Sequence, residues 1–127
     1  MTLYYLDTSV AIMVLQGHPG TVHWFTEAAE HADLVSSRIL QTEITPVLRR
    51  ESRPPLERDE ILDFVALVPV SETILQRAES IQSHVRTLDA IHLATAGALP
   101  NATVVSHDNQ MLLVASDLAM RTLDPVL

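Results

Sequence analysis

At 127 residues, with 47% apolar content and a net charge of −8, the chain has the length of one domain and enough core-forming residues to exclude intrinsic disorder, while its charge disfavours a sequence-independent nucleic-acid coat protein. It contains no cysteine and no lysine, which removes a disulfide framework, a thiolate metal site, a P-loop, a Schiff-base mechanism and a lysine-dependent receiver domain. No basic region precedes an apolar one at the start, and the longest apolar run, Val10 to Leu15, falls far short of the ~20 residues of a membrane span, so a cytoplasmic protein without membrane contact is expected.

Leu3 to Leu6 is apolar and aromatic, which suits a strand, and Asp7, Thr8 and Ser9 offer helix-capping side chains just before Val10 to Leu15. After the break at Gly17-His18-Pro19-Gly20, the residues Val22, Phe25, Ala28 and Ala29 recur at helical spacing, and Leu34 to Ser36 reads as a short strand. From Ile39 to Glu51 the residues Leu40, Ile44, Val47 and Leu48 trace a helical stripe, which Pro46 should bend or shorten and Pro54-Pro55 should end. Ile61 to Val65 reads as helix, Leu67 to Val70 as strand, and Ile74 to Val85 as an amphipathic helix. Leu88 to Leu99 is apolar nearly all round and should lie inside the protein. Thr103 to Ser106 reads as strand, Gln110 to Ala115 as helix and Met120 to Leu123 as a last strand. Strands that alternate with helices, without hairpin signals, predict an α/β fold whose parallel sheet is covered on both faces, with residues 1–127 as one domain.

In such folds, sites form beyond the carboxyl ends of the strands, where adjacent connections diverge. Asp7 directly follows the first strand and Asp108 lies two residues past Ser106, so both fall at such ends, although each would equally serve as a helix cap. Glu43 stands at i+3 from Leu40 and i−4 from Val47, on the core-facing stripe. An ionised carboxylate there needs a cation, a hydrogen-bonding network or a raised pKa, unless Pro46 shifts the helix phase and turns it to solvent. Asp89 opens the most apolar helix, a position the helix dipole favours whatever its function. Four carboxylates converging on one point repel one another unless a divalent cation or shared protons offset the charge. Oxygen ligands without cysteine select magnesium or manganese, ions that assist phosphodiester hydrolysis.

At these residues the chain resembles PIN domains, and among them the VapC toxins. The matching segments are Tyr5-Leu6-Asp7-Thr8-Ser9, Thr42-Glu43-Ile44, Leu88-Asp89-Ala90-Ile91-His92-Leu93-Ala94-Thr95-Ala96 and Val104-Val105-Ser106-His107-Asp108, in the family's order and across nearly the whole chain. The resemblance implies a three-layer α/β/α sandwich around a parallel sheet of about five strands. It also implies an acidic pocket of Asp7, Glu43, Asp89 and Asp108 for one or two magnesium or manganese ions, supported by the hydroxyls of Thr8, Ser9 and Ser106. Endonucleolytic cleavage of structured RNA such as transfer or ribosomal RNA follows from it, as do homodimerisation and inhibition by a VapB-type antitoxin. The family commonly places a glycine between the last helix and last strand, where this chain reads Ser116-Asp117-Leu118-Ala119.

Arg49, Arg50, Arg53 and Arg58 form a local basic patch that could hold RNA phosphates, or simply a solvated helix end. His92, three residues after Asp89, is close enough to touch the site but also reads as a satisfied core histidine. Asn109 and Asp117 could assist a metal, with Asp117 expected in solvent, and Trp24, Phe25 and Met13 read as core or dimer contacts. Two other readings are a catalytically silent PIN-fold binding module and, from His107-Asp108, an HD-type phosphohydrolase, a fold that is helical throughout.

Overall fold

The structure, a computed structural model, describes residues 2–126. Five strands, β1 (Leu3–Leu6), β2 (Asp33–Ser37), β3 (Ala66–Val68), β4 (Thr103–Val105) and β5 (Arg121–Leu123), form one sheet in the order β3-β2-β1-β4-β5. Every neighbouring pair is parallel, with Tyr5 opposite Val35 on one side and Val104 on the other. Parallel strands require crossover connections. These contain α1 (Thr8–Leu15), α2 (Pro19–His31), α3 (Ile39–Arg50), α4 (Asp59–Leu62), α5 (Glu72–Glu79), α6 (Thr87–Gly97) and α7 (Asn109–Asp117).

Side chains alternate across a strand, so Tyr5 and Leu6, like Val104 and Val105, point to opposite faces. Leu6 and Val105 pack with Val10, Leu15, Phe25, Leu40, Ile44 and Ile61 from α1 to α4. Tyr5 and Val104 pack with Leu93 of α6 and Met111 and Val114 of α7. The result is a three-layer α/β/α sandwich. All seven residues from Ala90 to Ala96 are buried, the internal position expected from their all-round apolar character.

Several element limits differ from expectation by a residue or two, and four departures have a local reason. Pro46 stays inside α3 without ending it, because it and Thr42, whose carbonyl loses its partner, are both exposed to water. A 3₁₀ turn at Pro55–Arg58 starts the next helical segment earlier, since proline is preorganised for a first helical position. Strand β3 stops at Val68, before Pro69, which has no N–H for the ladder. Helix α5 stops at Glu79 instead of reaching Val85: the Ser80 N–H closes on the Gln76 and Arg77 carbonyls and its hydroxyl takes the Arg77 carbonyl as well. Ile81 and Val85 still pack on the core from the irregular segment that follows.

The turn after α7 closes by hydrogen bonds from Ala119 N–H to Ser116 and from Met120 N–H to Ala115, with Ala119 at φ 63°. This is the left-handed helix-closing geometry that glycine favours. Among the described residues no helix is long and apolar enough to cross a membrane.

Candidate active site

The chain leaves β1 towards β2 and leaves β4 towards β5, so a crevice opens at the carboxyl ends of these two adjacent strands. The Asp7 N–H continues the ladder by donating to the Val105 carbonyl at 2.9 Å, which carries its side chain to the crevice. Asp7 is 5% exposed. Its Oδ1 accepts from the Thr8 N–H at 2.8 Å, and its Oδ2 accepts from the hydroxyls of Ser106 at 2.8 Å and Ser9 at 2.9 Å. Across the crevice, Asp108 caps α7 with Oδ1, accepting from the N–H groups of Gln110 at 2.9 Å and Met111 at 3.3 Å. Both aspartates are therefore helix caps, and both also face the crevice. Ser106 joins them: its hydroxyl donates to Asp7 and accepts from the Asp108 N–H at 3.0 Å.

Glu43 comes from α3 on the other side of Asp7. Its Oε1 accepts from the Thr8 hydroxyl at 2.7 Å and from His92 Nε2 at 2.8 Å. Burial by itself would raise this carboxyl, but the hydrogen bonds from His92 and Thr8, with smaller electrostatic contributions from His92 and Arg86, outweigh it and hold the pKa below the usual carboxylate value. The half-buried carboxylate is thus accommodated by a hydrogen-bonding network, and Pro46 does not turn it away from the protein. His92 is 1% exposed, and its Nδ1 lies 2.7 Å from the Tyr5 hydroxyl.

Asp89 stands in the first turn of α6 beside Arg86. The guanidinium donates through Nε to Asp89 Oδ2 at 3.1 Å and brings a terminal nitrogen within 3.7 Å of Asp108 Oδ2. Its field reaches Glu43 and Asp7 as well. Burial raises the Asp89 pKa, and the negative charges of Asp7 and Asp108 add to that, with Arg86 opposing. A cleft of about 530 Å³ opens here, lined by His84, Val85, Arg86, Asp89, Asp108 and Gln110.

The four acidic residues are therefore joined in a ring of single-residue links, through side chains except at Asp108, whose backbone N–H meets Ser106. Thr8 joins Glu43 to Asp7, Ser106 joins Asp7 to Asp108, and Arg86 joins Asp108 to Asp89. His92, one turn after Asp89 on α6, returns to Glu43. Because hydroxyls and a guanidinium separate the acids, no three His, Cys, Asp or Glu side chains among the described residues close into a ready-made metal cluster. The donor chemistry nonetheless fits a hard divalent ion. Glu43 is anchored through Oε1 and Asp89 through Oδ2, leaving the second oxygen of each without a hydrogen-bond partner among the described residues.

Arg86 was not among the residues singled out from the sequence. Its one signal there is the i,i+3 spacing to Asp89, a separation at which opposite charges on a helical segment meet. The basic patch lies elsewhere. Helices that follow parallel strands run back along the sheet, so the carboxyl ends of α3 and α1 lie towards the edge opposite the crevice. There Arg53 donates to the Leu15 carbonyl at 2.6 Å and to Glu57, and pairs with Glu51 at 3.4 Å and Glu60 at 3.8 Å. Arg58 donates to the Thr45 hydroxyl at 3.1 Å, while Arg49 and Arg50 are exposed. Trp24 packs edge-on against Tyr4 and Phe25 edge-on against Phe64, with Met13 half-buried, and Asn109 and Asp117 are exposed. His107 pairs with Asp124 at 3.0 Å, and the parallel sheet removes the all-helical HD-type alternative.

The comparisons with known proteins agree with this architecture. No curated protein matches the sequence at a significant level. Among solved structures, the chain is similar to one from VapBC-1 of nontypeable Haemophilus influenzae, with TM-score 0.74, 16% identity and coverage of 99% of this chain and 100% of that one. It is also similar to a chain of VapBC2 from Rickettsia felis, solved bound to a DNA fragment from their promoter, with TM-score 0.73, 15% identity and coverage of 96% and 98%. A toxin–antitoxin complex from Klebsiella pneumoniae gives TM-score 0.74, 16% identity and coverage of 96% and 97%. The family model for the PIN domain matches residues 4–116. With that match spanning most of its length, the chain belongs to the PIN domain family.

Proposed function

We propose that this chain is an endoribonuclease dependent on magnesium or manganese, acting in the cytoplasm as the VapC-type toxin of a type II toxin–antitoxin pair, with residues 1–127 as one PIN domain. The observation that carries this reading is the ring formed by Asp7, Glu43, Asp89 and Asp108 at the strand switch point, beside a polar cleft. Four acids crowded there cost free energy unless an ion offsets them, and their oxygen-only chemistry is that of magnesium and manganese sites.

A divalent ion, when bound, supplies positive charge that draws an RNA phosphate to an acidic protein and polarises it towards attack. The chain's own residues prepare the place. Asp7 is held rigid by one N–H and two hydroxyls, and Thr8, Ser9 and Ser106 act as its supports. Glu43 is oriented from the opposite layer, while Asp89 and Asp108 form the rim that faces the cleft. Arg86, 81% exposed, offers the guanidinium nearest the place a phosphate would occupy, and its fork suits phosphate oxygens. Arg49 and Arg50 would meet only RNA that extends to the far edge of the sheet.

Similarity to chains from VapBC and other toxin–antitoxin complexes supports a cognate VapB-type antitoxin as partner and, through the family resemblance, a homodimer. The substrate is structured RNA such as transfer or ribosomal RNA. Incubating the purified protein with such RNAs in magnesium, in manganese and in chelator tests the proposal. Internal cleavage that needs the metal is expected; cleavage that persists in chelator, or none with any RNA as in a silent binding module, overturns it.

A further inference from the structure

We infer that His92 is a positioning residue that fixes which oxygen of Glu43 is presented to the metal, and that Tyr5 sets the histidine tautomer on which this depends. The inference rests on the metal-dependent reading above and adds residues that make no contact with substrate or metal.

The arrangement follows from counting hydrogens. Glu43 is ionised, so both groups on its Oε1 must donate to it: the Thr8 hydroxyl at 2.7 Å and His92 Nε2 at 2.8 Å. Thr8 Oγ1 also lies 3.0 Å from Nε2, and with its own hydrogen directed at Glu43 it can only accept there. The Nε2 position must therefore carry the hydrogen. With one ring hydrogen, placed on Nε2, Nδ1 is an acceptor, and the group facing it at 2.7 Å is the Tyr5 hydroxyl, which then donates. Tyr5 is fully buried, and burial pushes its phenol pKa far up, so the hydroxyl keeps the hydrogen it needs to donate. The opposite tautomer would set the Nε2 lone pair against Glu43 Oε1 and release one of its two anchors.

The path also crosses the molecule. Tyr5 and His92 belong to the layer of α6 and α7, whereas Glu43 sits on α3 in the opposite layer. His92 and Asp89 share one side of α6, three positions apart, so a single helix carries one acid of the ring and orients another. With Oε1 doubly occupied, Oε2 is the oxygen of Glu43 left for a ligand. A histidine that only filled the core would need no such match to a carboxylate.

The test uses the full-length protein and manganese as the probe, with affinity measured by calorimetry and RNA cleavage measured in parallel. His92→Leu removes the Nε2 donor, and His92→Gln restores an N–H at the same reach. His92→Leu is expected to weaken manganese binding by about 10- to 100-fold, the usual effect of losing a group that orients a metal ligand. His92→Gln should recover most of that loss, and in a Glu43→Gln background His92→Leu should add no further loss. Unchanged affinity in His92→Leu, or a glutamine variant as weak as the leucine one, overturns the inference. Nitrogen-15 NMR of the unmodified protein gives a reading that does not depend on any variant folding: the Nε2–H tautomer is expected at His92, and either the Nδ1–H tautomer or a ring carrying hydrogen on both nitrogens overturns the role of Tyr5. Failure of the functional reading looks different, because the unmodified protein would then bind no manganese and leave RNA intact, and both proposals would fall together.

Discussion

Arg86 donates from Nε to Asp89 Oδ2 at 3.1 Å while its other end approaches Asp108, so one guanidinium partly neutralises a site built from four acids. An arginine in that place competes with a divalent ion for the same two carboxylates. Removing it by Arg86→Ala should tighten manganese binding by about 2- to 5-fold, the modest range of an exposed ion pair. The same substitution should raise KM for RNA, because a cation facing the phosphate is lost. Calorimetry and steady-state kinetics check the two halves, and weaker manganese binding in the variant would count against competition.

Asp7→Asn should reduce kcat by on the order of 100-fold or more, in line with removing a charge preorganised for the reaction. The fold should survive it, since the amide still accepts from the Thr8 N–H and the Ser9 and Ser106 hydroxyls can rotate to meet an amide donor. Thermal unfolding alongside cleavage rates separates the two effects, and retained activity would remove Asp7 from the site.

Asp89 provides a pH signature. Burial, reinforced by Asp7 and Asp108, raises its native pKa above that of the unfolded chain. As pH rises, the unfolded chain therefore releases this proton first, and the native state loses stability as Asp89 ionises. That cost is fully present at neutral pH and absent below the ordinary carboxylate range. In chelator, Asp89→Asn should melt higher than the unmodified protein at pH 7, with the gap closing as pH falls towards 4. A gap independent of pH would contradict the assignment, and in either case cleavage should be lost.

The arginines at the end of α3 divide by role. Arg53 holds the Leu15 carbonyl and three glutamates, so Arg53→Ala should lower the melting temperature by on the order of 5 °C. Arg49 and Arg50 lie about 10 Å along α3 from Glu43, from the helical rise. Their double alanine variant should leave the cleavage rate of a short RNA unchanged; a large fall would place substrate across that face.

Ala119 pays for a left-handed backbone at φ 63° in the turn after α7. Ala119→Gly should stabilise the protein by about 0.5–1 kcal/mol, the left-handed cost less the extra entropy of glycine in the unfolded chain. Denaturant titration measures it, and a loss of stability would show that the methyl group makes a compensating contact.

The acids were legible in the sequence because each occupies a place with a physical signature. Asp7 and Asp108 end strands and begin helices, Asp89 opens an internal helix, and Glu43 interrupts an apolar stripe. The departure from the family pattern at Ala119 was visible too, although only the backbone shows that alanine there adopts glycine's conformation. Arg86 was hidden for a definite reason: apolar spacing up to Val85 suggested a helix where the chain is irregular, which obscured its i,i+3 spacing to Asp89. The pairing of His92 with Glu43 was equally hidden, because the two belong to opposite layers and are separated by 49 positions that only the sheet topology brings together.

The link from Asp7 through Ser106 to Asp108 carries a consequence for biosynthesis. A nascent chain that has emerged as far as α6 already holds Asp7, Glu43 and Asp89, but it still lacks β4, the strand whose edge supports Asp7 from the other side. The pocket can be assembled only once β4, Ser106 and Asp108 have joined the sheet.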